Sequence, residues 1–255
     1  MDLRLDGMRA LVGGGAGGIG AGIAGVLMAE GVHVVLASRT AEKLEARAAE
    51  LGAGSGVADL STPDGPATAV SSAVEQLGGL DLLVVNSGGP PAGTFESVGE
   101  EEWQQAIDGT LHSALRLIRA ALPHLREGEE PAIVINLSSS VRQPLPGLTT
   151  SNVLRPGLAG LIKNLSFEIA PIRINGVAPG RFSTDRVRQL DGKRAEATGQ
   201  SIEEVRRQAE ATIPLGRYGD TTEIGRVAVF LLSPAASYVT GAIVPVDGGL
   251  VSALP

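Results

Sequence analysis

The chain has 255 residues, 43% of them hydrophobic, which is enough to form the core of one α/β domain. Its 21 Lys and Arg against 28 Asp and Glu give a net charge of −7, so a broad basic surface is absent and no nucleic-acid partner is expected. The sequence contains no cysteine, which excludes a disulfide framework, a thiolate metal site and a cysteine nucleophile.

The N-terminal residues carry charges as far as Arg9 and then only a short apolar run. This pattern does not fit a secretory signal, and we expect a cytoplasmic protein. Val227–Val246 carries no charge and has the length of a membrane span. Ser233, Pro234 and Gly241 interrupt that stretch. We therefore interpret it as a helix end, a turn and a strand, and predict no membrane partner.

Short β-rich runs alternate along the chain with segments of helical periodicity. This alternation is typical of a doubly wound parallel sheet, because parallel strands are joined by crossover helices. The strand runs are almost continuously apolar, as expected when both faces of a sheet are covered. We predict a three-layer Rossmann-type α/β fold in a single domain over 1–255. The predicted strands lie at 10–13, 32–38, 80–86, 132–138, 172–178 and 242–246, and the predicted helices at 19–30, 41–51, 101–125, 153–170 and 224–232.

A highly charged insertion at about 185–212 breaks this alternation between a strand end and a later helix. Its composition leaves two interpretations open. It is either a lid over a cleft or a solvated pair of amphipathic helices.

A glycine-rich loop follows the first predicted strand and leads directly into a helix. Glycines let the backbone turn tightly beside a pyrophosphate, and the helix N-terminus supplies free N–H groups. A flexible turn would also explain the glycines, but the strand before and the helix after favour a dinucleotide site. A Walker A loop is excluded because no Gly-Lys-Ser/Thr follows. The candidate cofactor-binding residues are Gly14, Ala16, Gly17, Gly18, Ile19 and Gly20.

Ser38 and Arg39 end the second predicted strand, where NAD-binding Rossmann proteins place an acidic residue. A hydroxyl and a guanidinium suit a 2′-phosphate, whereas a carboxylate would repel it. The pattern favours NADP(H) over NAD(H) as the cofactor, with an ordinary surface arginine as the alternative. The missing acid also argues against a methyltransferase that uses S-adenosylmethionine.

Several motifs make the chain resemble the short-chain dehydrogenase/reductase family along nearly its whole length, closest to the 3-oxoacyl-acyl-carrier-protein reductase branch. Gly14, Gly18 and Gly20 match the family's Thr-Gly-x-x-x-Gly-x-Gly, although Gly13 replaces the threonine, and 246–249 matches the C-terminal Val-Asp-Gly-Gly. The resemblance implies further cofactor contacts by Asp59 and Leu60 at the adenine, by Asn86, Ser87 and Gly88 in the Asn-Asn-Ala-Gly segment, and by Pro179, Gly180 and Thr184 in the Pro-Gly-x-x-x-Thr segment at the nicotinamide carboxamide.

The resemblance also implies a small-molecule carbonyl or alcohol substrate and a homo-oligomer, either a tetramer or a dimer. The apolar C-terminal stretch 242–255, which one subunit would cover poorly, agrees with an oligomer. No metal ion is expected.

The family's catalytic asparagine, serine, tyrosine and lysine are poorly matched in this chain. Alignment with the family places Thr110 at the asparagine, Ser151 at the tyrosine and Arg155 at the lysine. The strand alignment assigns the serine to Ser139, whereas counting back from Ser151 assigns it to Ser138, and both remain open.

No other residue is a clear substitute for the missing phenol. Tyr218 and Tyr238 are the only tyrosines and lie far downstream, in segments that the family uses structurally, so we predict that neither is catalytic. His112 lies one turn past Asp108, and we interpret it as a solvated or interface histidine rather than as a replacement acid.

The helix that carries Ser151 and Arg155 contains a proline at 156. Residues four apart share a helix face, so both side chains can meet one cofactor edge. A proline disfavours α geometry in the preceding residue, here Arg155. We therefore expect this helix to start from around Asn152 or beyond, with a distorted first turn.

Two functions of different class are compatible with these residues. The first is an NADP(H)-dependent oxidoreductase in which Ser139, Ser151, Arg155 or water replaces the phenol. The second is an NADP(H)-binding protein without turnover, acting as a sensor or as a subunit of an assembly. We favour the oxidoreductase because the cleft serine and Thr184 persist.

The position of Arg39 generates a prediction about cofactor choice. NADPH should bind more tightly than NADH, and Arg39→Ala should narrow the difference by weakening NADPH alone, because only NADPH carries the 2′-phosphate. Calorimetric titration of both variants with both cofactors measures this. Equal affinities in the unmodified protein would contradict it.

Overall fold

The computed structural model describes residues 2–253 and consists of a seven-stranded parallel sheet between two layers of helices, which confirms the predicted fold class. The strands are β1 (Arg9–Gly13), β2 (His33–Ser38), β3 (Gly54–Val57), β4 (Leu82–Val85), β5 (Ala132–Asn136), β6 (Arg173–Pro179) and β7 (Ile243–Val246). The helices are α1 (Gly18–Ala29), α2 (Ala41–Leu51), α3 (Gly65–Leu77), α4 (Glu100–Ala106), α5 (Ser113–Leu125), α6 (Thr149–Glu168), α7 (Asp185–Thr198), α8 (Ile202–Glu210) and α9 (Thr221–Leu232).

The order of the strands places a crevice at one edge of the sheet. The order is β3-β2-β1-β4-β5-β6-β7, so the connections run one way from β1 and the opposite way from β4. In open parallel sheets ligands bind outside the carboxyl ends of the strands, at the point where the order reverses. The loops after β1 and β4 therefore border the candidate site.

The core lies on both faces of the sheet, because successive strand residues point to opposite sides. Leu11 and Ile133 pack with α3, α5 and α6 on one face, whereas Val12 and Val134 pack with α1, α2 and α9 on the other. All four side chains are fully buried. Burial on both faces explains why these strands read as continuous apolar runs.

The strand β3 and the helix α3 were not predicted from the sequence. β3 has the sequence GSGV, with one large apolar residue, so it shows no apolar run. Its pairing with β2 and not its own composition makes it a strand, with Val35 opposite Gly54. A Cβ on Gly54 would approach the Val35 side chain to 2.9 Å, so the close pairing requires glycine.

The predicted start of α6 at Asn152 or beyond is wrong, because the helix begins at Thr149 and runs through Pro156. Tertiary contacts hold the first turn in place. The Thr150 hydroxyl donates to the Pro91 carbonyl oxygen at 2.8 Å, and the Asn152 amide bonds both backbone groups of Leu145. Pro156 lies on the exposed side of the helix.

The predicted single helix at 101–125 is also wrong in detail. It is divided into α4, a π-helical segment at Ile107–His112, and α5. The π-helical segment packs against α6. Such segments insert a residue into a helix and re-aim side chains, often at functional sites.

The charged insertion folds as two helices, α7 and α8, which follow β6. A capping box at Ser201 and Glu204 starts α8, so the composition of the insertion is that of capped, largely exposed helices. In the described residues 2–253, no helix is long and apolar enough to cross a bilayer.

The crossing of α1 and α9 generates a stability prediction. A Cβ on Gly22 would lie 2.5 Å from the Thr221 carbonyl oxygen, so Gly22→Ala should lower the free energy of unfolding by about 1–3 kcal/mol. Gly25 lies on the same helix, and a Cβ there would meet only Leu51 at 3.8 Å. Gly25→Ala should raise stability by about 0.5–1 kcal/mol. Urea unfolding of both variants tests the packing, and equal effects would contradict it.

Candidate active site

The glycine-rich loop after β1 forms a cradle that side chains would fill. Gly14 and Gly18 have φ angles of +59° and +54°, in the left-handed region that favours glycine. A Cβ on Gly14 would lie 2.6 Å from the Asn86 amide nitrogen, and one on Gly20 would meet the Gly14 carbonyl oxygen. Gly17 precedes α1 and has open space at its Cβ position. The loop with Ala16 and Ile19 thus fits the pyrophosphate of a dinucleotide.

A chain of hydrogen bonds runs from this loop across the end of the sheet. The Asn86 amide nitrogen donates to the carbonyl oxygens of Gly13 and Gly14 at 3.0 and 3.3 Å. The Asn136 amide nitrogen donates to the Asn86 side-chain oxygen at 2.8 Å. Both asparagines are buried, so their bonds are costly to leave unmade. They fix the ends of β1, β4 and β5 relative to one another.

The chain of bonds ends at Arg155 on the first turns of α6. Its guanidinium donates a hydrogen bond to the Asn136 carbonyl oxygen, and the residue is only 6% exposed. Burial lowers the pKa of Arg155 to about 10, so it stays charged at neutral pH. Its Nε has no hydrogen-bond partner among the described residues. The site therefore contains a desolvated cation with an unused donor.

Two serine hydroxyls meet beside Arg155. Ser151 Oγ lies 3.1 Å from Ser140 Oγ, and both residues are buried. The candidates Ser138 and Ser139 differ from this partner: Ser138 Oγ accepts from the Ser140 backbone N–H, and Ser139 begins the following 3₁₀ turn. The pair can donate a hydrogen bond to a substrate oxygen while one hydroxyl supports the other.

Thr110 and Asn136 add unpaired polar atoms to this region. Thr110 lies in the π-helical segment that packs against α6, and it is 1% exposed. In residues 2–253, the buried side-chain atoms without a hydrogen bond are Thr110 Oγ1, Asn136 Oδ1 and Arg155 Nε. Buried polar groups are nearly always paired, so three in one region point to a missing ligand or ordered water.

The other end of the crevice carries Ser38 and Arg39 at the end of β2. Arg39 is exposed, and Ser38 is half-buried. Hydrogen bonds from Ser61, together with the charge of nearby Arg39, hold the pKa of Asp59 below its usual range, so this carboxyl is ionised. Leu60 is buried close to Gly13. The Arg39 guanidinium suits the 2′-phosphate of an adenosine moiety, and the Asp59 carboxylate suits a hydrogen-bond donor of its adenine.

The remaining predicted cofactor residues border the same crevice. Ser87 and Gly88 follow β4, next to Asn86. Gly180 follows β6, where its N–H donates to the Val246 carbonyl oxygen at 3.0 Å, and Pro179 ends that strand. Thr184 caps α7 through a bond from the Val187 N–H, and its methyl group lies opposite Gly18. The start of α7 thus covers the glycine-rich loop.

Three residues of this site were missed by sequence analysis: Asn136, Ser140 and Arg186. Ser140 could have been found, because it is the third serine of the run in which the position of the family's catalytic serine was left open between Ser138 and Ser139. Arg186 follows Thr184 by two residues, and its NH2 donates to the Pro90 carbonyl oxygen at 2.6 Å. Asn136 could not be singled out in the sequence, because only the fold brings its amide nitrogen to Asn86 and its backbone carbonyl oxygen to Arg155.

In the described residues, Tyr218, Tyr238 and His112 make no hydrogen bond to Ser140, Ser151 or Arg155. Tyr218 is buried and donates to Asp191 at 2.8 Å, and burial beside that carboxylate raises its pKa to about 12. Tyr238 is fully exposed. His112 contacts Asp108 at 2.8 Å in a partly exposed pair. Over residues 2–253, no group of three or more His, Cys, Asp or Glu side chains could hold a metal ion.

Known proteins are similar to the chain along its whole length. The sequence model of the family described as Enoyl-(Acyl carrier protein) reductase matches residues 14–251. A 3-oxoacyl-[acyl-carrier-protein] reductase of Thermotoga maritima is 31% identical over 98% of this chain and 100% of that protein. An L-sorbose reductase of Gluconobacter frateurii, solved with NADPH and L-sorbose, has a TM-score of 0.94 at 30% identity, covering 100% of both chains.

A third similar protein is a short chain oxidoreductase of Pseudomonas aeruginosa PAO1, solved with NADPH. Its structure is described as containing an atypical catalytic center. It has a TM-score of 0.86 at 29% identity, covering 97% of this chain and 98% of that one.

The environment of Tyr218 leads to a prediction that distinguishes a structural role of this residue from a catalytic one. Tyr218→Phe should lower the free energy of unfolding by about 1.5–3 kcal/mol, because a buried hydrogen bond to a carboxylate is lost, and should leave the activity of the folded protein nearly unchanged. Tyr238→Phe is the control and should change neither quantity. Thermal unfolding and turnover assays measure both. A large loss of turnover in folded Tyr218→Phe would show that the active site has been assigned to the wrong residues.

Proposed function

Because the chain belongs to the short-chain dehydrogenase/reductase family, we propose that it is an NADP(H)-dependent oxidoreductase acting on a small carbonyl or hydroxyl compound, with a serine hydroxyl as its proton donor. The observation that carries the proposal is the chain of hydrogen bonds from the glycine-rich loop through Asn86 and Asn136 to Arg155. It runs from the cofactor end of the crevice to α6, where Ser151 lies one turn before Arg155 and its hydroxyl meets that of Ser140.

The cofactor is held by residues on four loops of the crevice. The glycine-rich loop and the first turn of α1 bind the pyrophosphate, since no side chain caps this helix and its N–H groups are available. Asp59 and Leu60 border the adenine. The nicotinamide end is held by Asn86, Ser87 and Gly88 on one side and by Pro179, Gly180 and Thr184 on the other.

NADPH is preferred over NADH because of the charge at the end of β2. Arg39 is exposed there and has no carboxylate within 4 Å in the described part of the chain, so a 2′-phosphate can bind it. Structures of similar proteins with bound NADPH support this preference.

The protein's part in the reaction is to stabilise and protonate a substrate oxygen. A bound nicotinamide supplies the hydride. Ser151 donates a hydrogen bond to the carbonyl oxygen, and Ser140 supports it at 3.1 Å. Arg155 stabilises the negative charge that develops on this oxygen. Among residues 2–253, no carboxylate pairs with Arg155 and competes for its charge.

A serine hydroxyl is a much weaker acid than a phenol beside a lysine. We therefore expect slow turnover, because loss of a proper general acid costs on the order of 10²–10⁴ in rate. Ser139 and Thr110 contribute to the polar wall of the site, and the unpaired Thr110 hydroxyl accepts or donates a hydrogen bond to an ordered water there. The similar protein with an atypical catalytic center supports departures of this kind.

The second candidate function is NADP(H) binding without turnover, as a sensor or an assembly subunit. One observation favours it: Ser151 is only 6% exposed, and its hydroxyl is already paired with Ser140. If that pair never opens towards a substrate, the cofactor binds and no hydride is transferred.

A homo-oligomer, dimer or tetramer, remains part of the proposal. β7 is the edge strand of the sheet and carries the partly exposed apolar side chains of Ile243, Val244 and Val246. An uncovered apolar edge strand is prone to pair with another chain. Residues 254 and 255, the end of the apolar C-terminal stretch, lie outside the described residues.

The role of the serine pair is tested by substitution. Ser151→Ala should lower kcat about 10²-fold and Ser140→Ala less, because Ser151 bonds the substrate oxygen and Ser140 only supports it. NADPH affinity should stay within about twofold in both variants. Calorimetry with NADPH and a spectrophotometric screen of ketones and aldehydes give the two readouts.

Ser166→Ala is the matched control, because Ser166 lies on the same helix and, within residues 2–253, its hydroxyl bonds only the Lys163 carbonyl oxygen. It should change neither readout. Turnover that survives Ser151→Ala unchanged would contradict the assignment of the proton donor, and NADPH binding without any turnover would favour the second candidate function.

A further inference from the structure

Two arginines beside the crevice are desolvated and have no carboxylate partner. Within residues 2–253, neither Arg155 nor Arg186 has an acidic oxygen within 4 Å, and burial lowers the pKa of both. For other buried or half-buried arginines, a carboxylate or several carbonyl oxygens compensate the charge of the guanidinium. Arg181 pairs with Asp191, and Arg173 donates to four carbonyl oxygens at the end of α9.

Arg186 and the residue next to Ser151 bond to adjacent residues of the loop after β4. The segment Pro90–Pro91 connects them: Arg186 donates to the Pro90 carbonyl oxygen at 2.6 Å, and Thr150, next to Ser151, donates to the Pro91 carbonyl oxygen at 2.8 Å. Thr184, two residues before Arg186, lies against the glycine-rich loop. The start of α7 therefore bridges the loops after β1 and β4.

The hydrogen-bonding capacity of Arg186 is largely unused. The bond to Pro90 is the one hydrogen bond that its guanidinium makes within the described chain. Its Nε lies over Gly89, 3.1 Å from where a Cβ would stand, so a side chain at 89 would displace it. Because residue 89 is glycine, the Arg186 guanidinium can lie across this loop. The N–H groups of Arg186 that are not bonded to Pro90 can then bind an acceptor.

We propose that Arg186 binds a carboxylate of the substrate, so that the substrate is an oxo acid or the corresponding hydroxy acid. This inference rests on the proposed function, in which Arg155 serves the reacting oxygen and leaves Arg186 for a second group. A planar guanidinium matches a carboxylate in geometry and charge, and a partly desolvated pair is stronger than an exposed one. A neutral ketone would leave Arg186 uncompensated.

Calorimetry with an unreactive dicarboxylate tests the site without requiring turnover. The protein is first saturated with NADPH and then titrated with malonate, with dimethyl malonate as the neutral control. Malonate should bind and the ester should not. Arg186→Gln should weaken malonate about 10- to 100-fold, the loss expected for a charge-assisted hydrogen bond, and leave NADPH affinity unchanged.

Two further variants make the result specific to Arg186. Arg188→Gln removes an exposed arginine from the same helix and should leave malonate affinity unchanged. Arg186→Lys keeps the charge without the planar fork and should lie between the wild type and Arg186→Gln, which a merely structural role would not produce. Melting temperatures of the three variants verify that each is folded.

Three outcomes would overturn the carboxylate site. These are no malonate binding by the NADPH-loaded wild type, malonate affinity that Arg186→Gln leaves intact, and a loss of NADPH affinity in place of malonate affinity, which would make Arg186 a cofactor ligand. Malonate binding that depends on Arg186, without reduction of pyruvate or acetoacetate, supports the site and counts against the proposed turnover.

Discussion

The hydrogen bond from Arg155 to the Asn136 carbonyl oxygen is the contact on which the arrangement of the cleft depends. It attaches the first turns of α6 to the end of β5, and Asn136 in turn is bonded to Asn86 and through it to the glycine-rich loop. A desolvated guanidinium without an acidic partner is costly to bury, so this position is favourable only where negative charge binds or develops. The contact thus joins the stability of the site to its chemistry.

In the proposed reaction, the same contact compensates for a proton donor that is a weaker acid than a phenol. In the proposed reaction Arg155 supplies a cation beside the substrate oxygen, whereas Ser151 and Ser140 provide hydroxyls of low acidity. Electrostatic stabilisation of a developing charge is usually a larger contribution than proton transfer itself. Most of the rate of the proposed reaction is therefore expected from positioning and charge, and less from the proton donor.

Sequence reasoning predicted the elements that depend on a strong local pattern. The strands around Leu11 and Ile133 are buried on both faces and read as apolar runs, and the glycine-rich loop is defined by backbone conformations that only glycine adopts readily. It failed where tertiary contacts override local preference. Pro156 lies inside α6 because Thr150 and Asn152 hold the turn before it, and no propensity contains that information.

Within the site, sequence reasoning identified residue types but not which atoms meet. Ser151 and Arg155 lie one turn apart on α6, and Thr110 lies in the π-helical segment that packs against this helix, yet the hydroxyl that meets Ser151 belongs to Ser140. A one-residue choice within a serine run depends on the 3₁₀ turn that follows β5. Sequence patterns could not single out Arg186 in a highly charged helix, because only its position in the fold distinguishes it from exposed neighbours such as Arg188.

We propose that this cleft transfers a hydride between NADP(H) and a carbonyl carbon. The most direct measurement is mass spectrometry of products formed from NADPH deuterated at the nicotinamide C4, offered with a panel of oxo acids and neutral ketones. The account predicts one deuterium on the carbinol carbon of an oxo acid product, formed slowly and lost in Ser151→Ala. Tight NADPH binding with no deuterium in any product would contradict it.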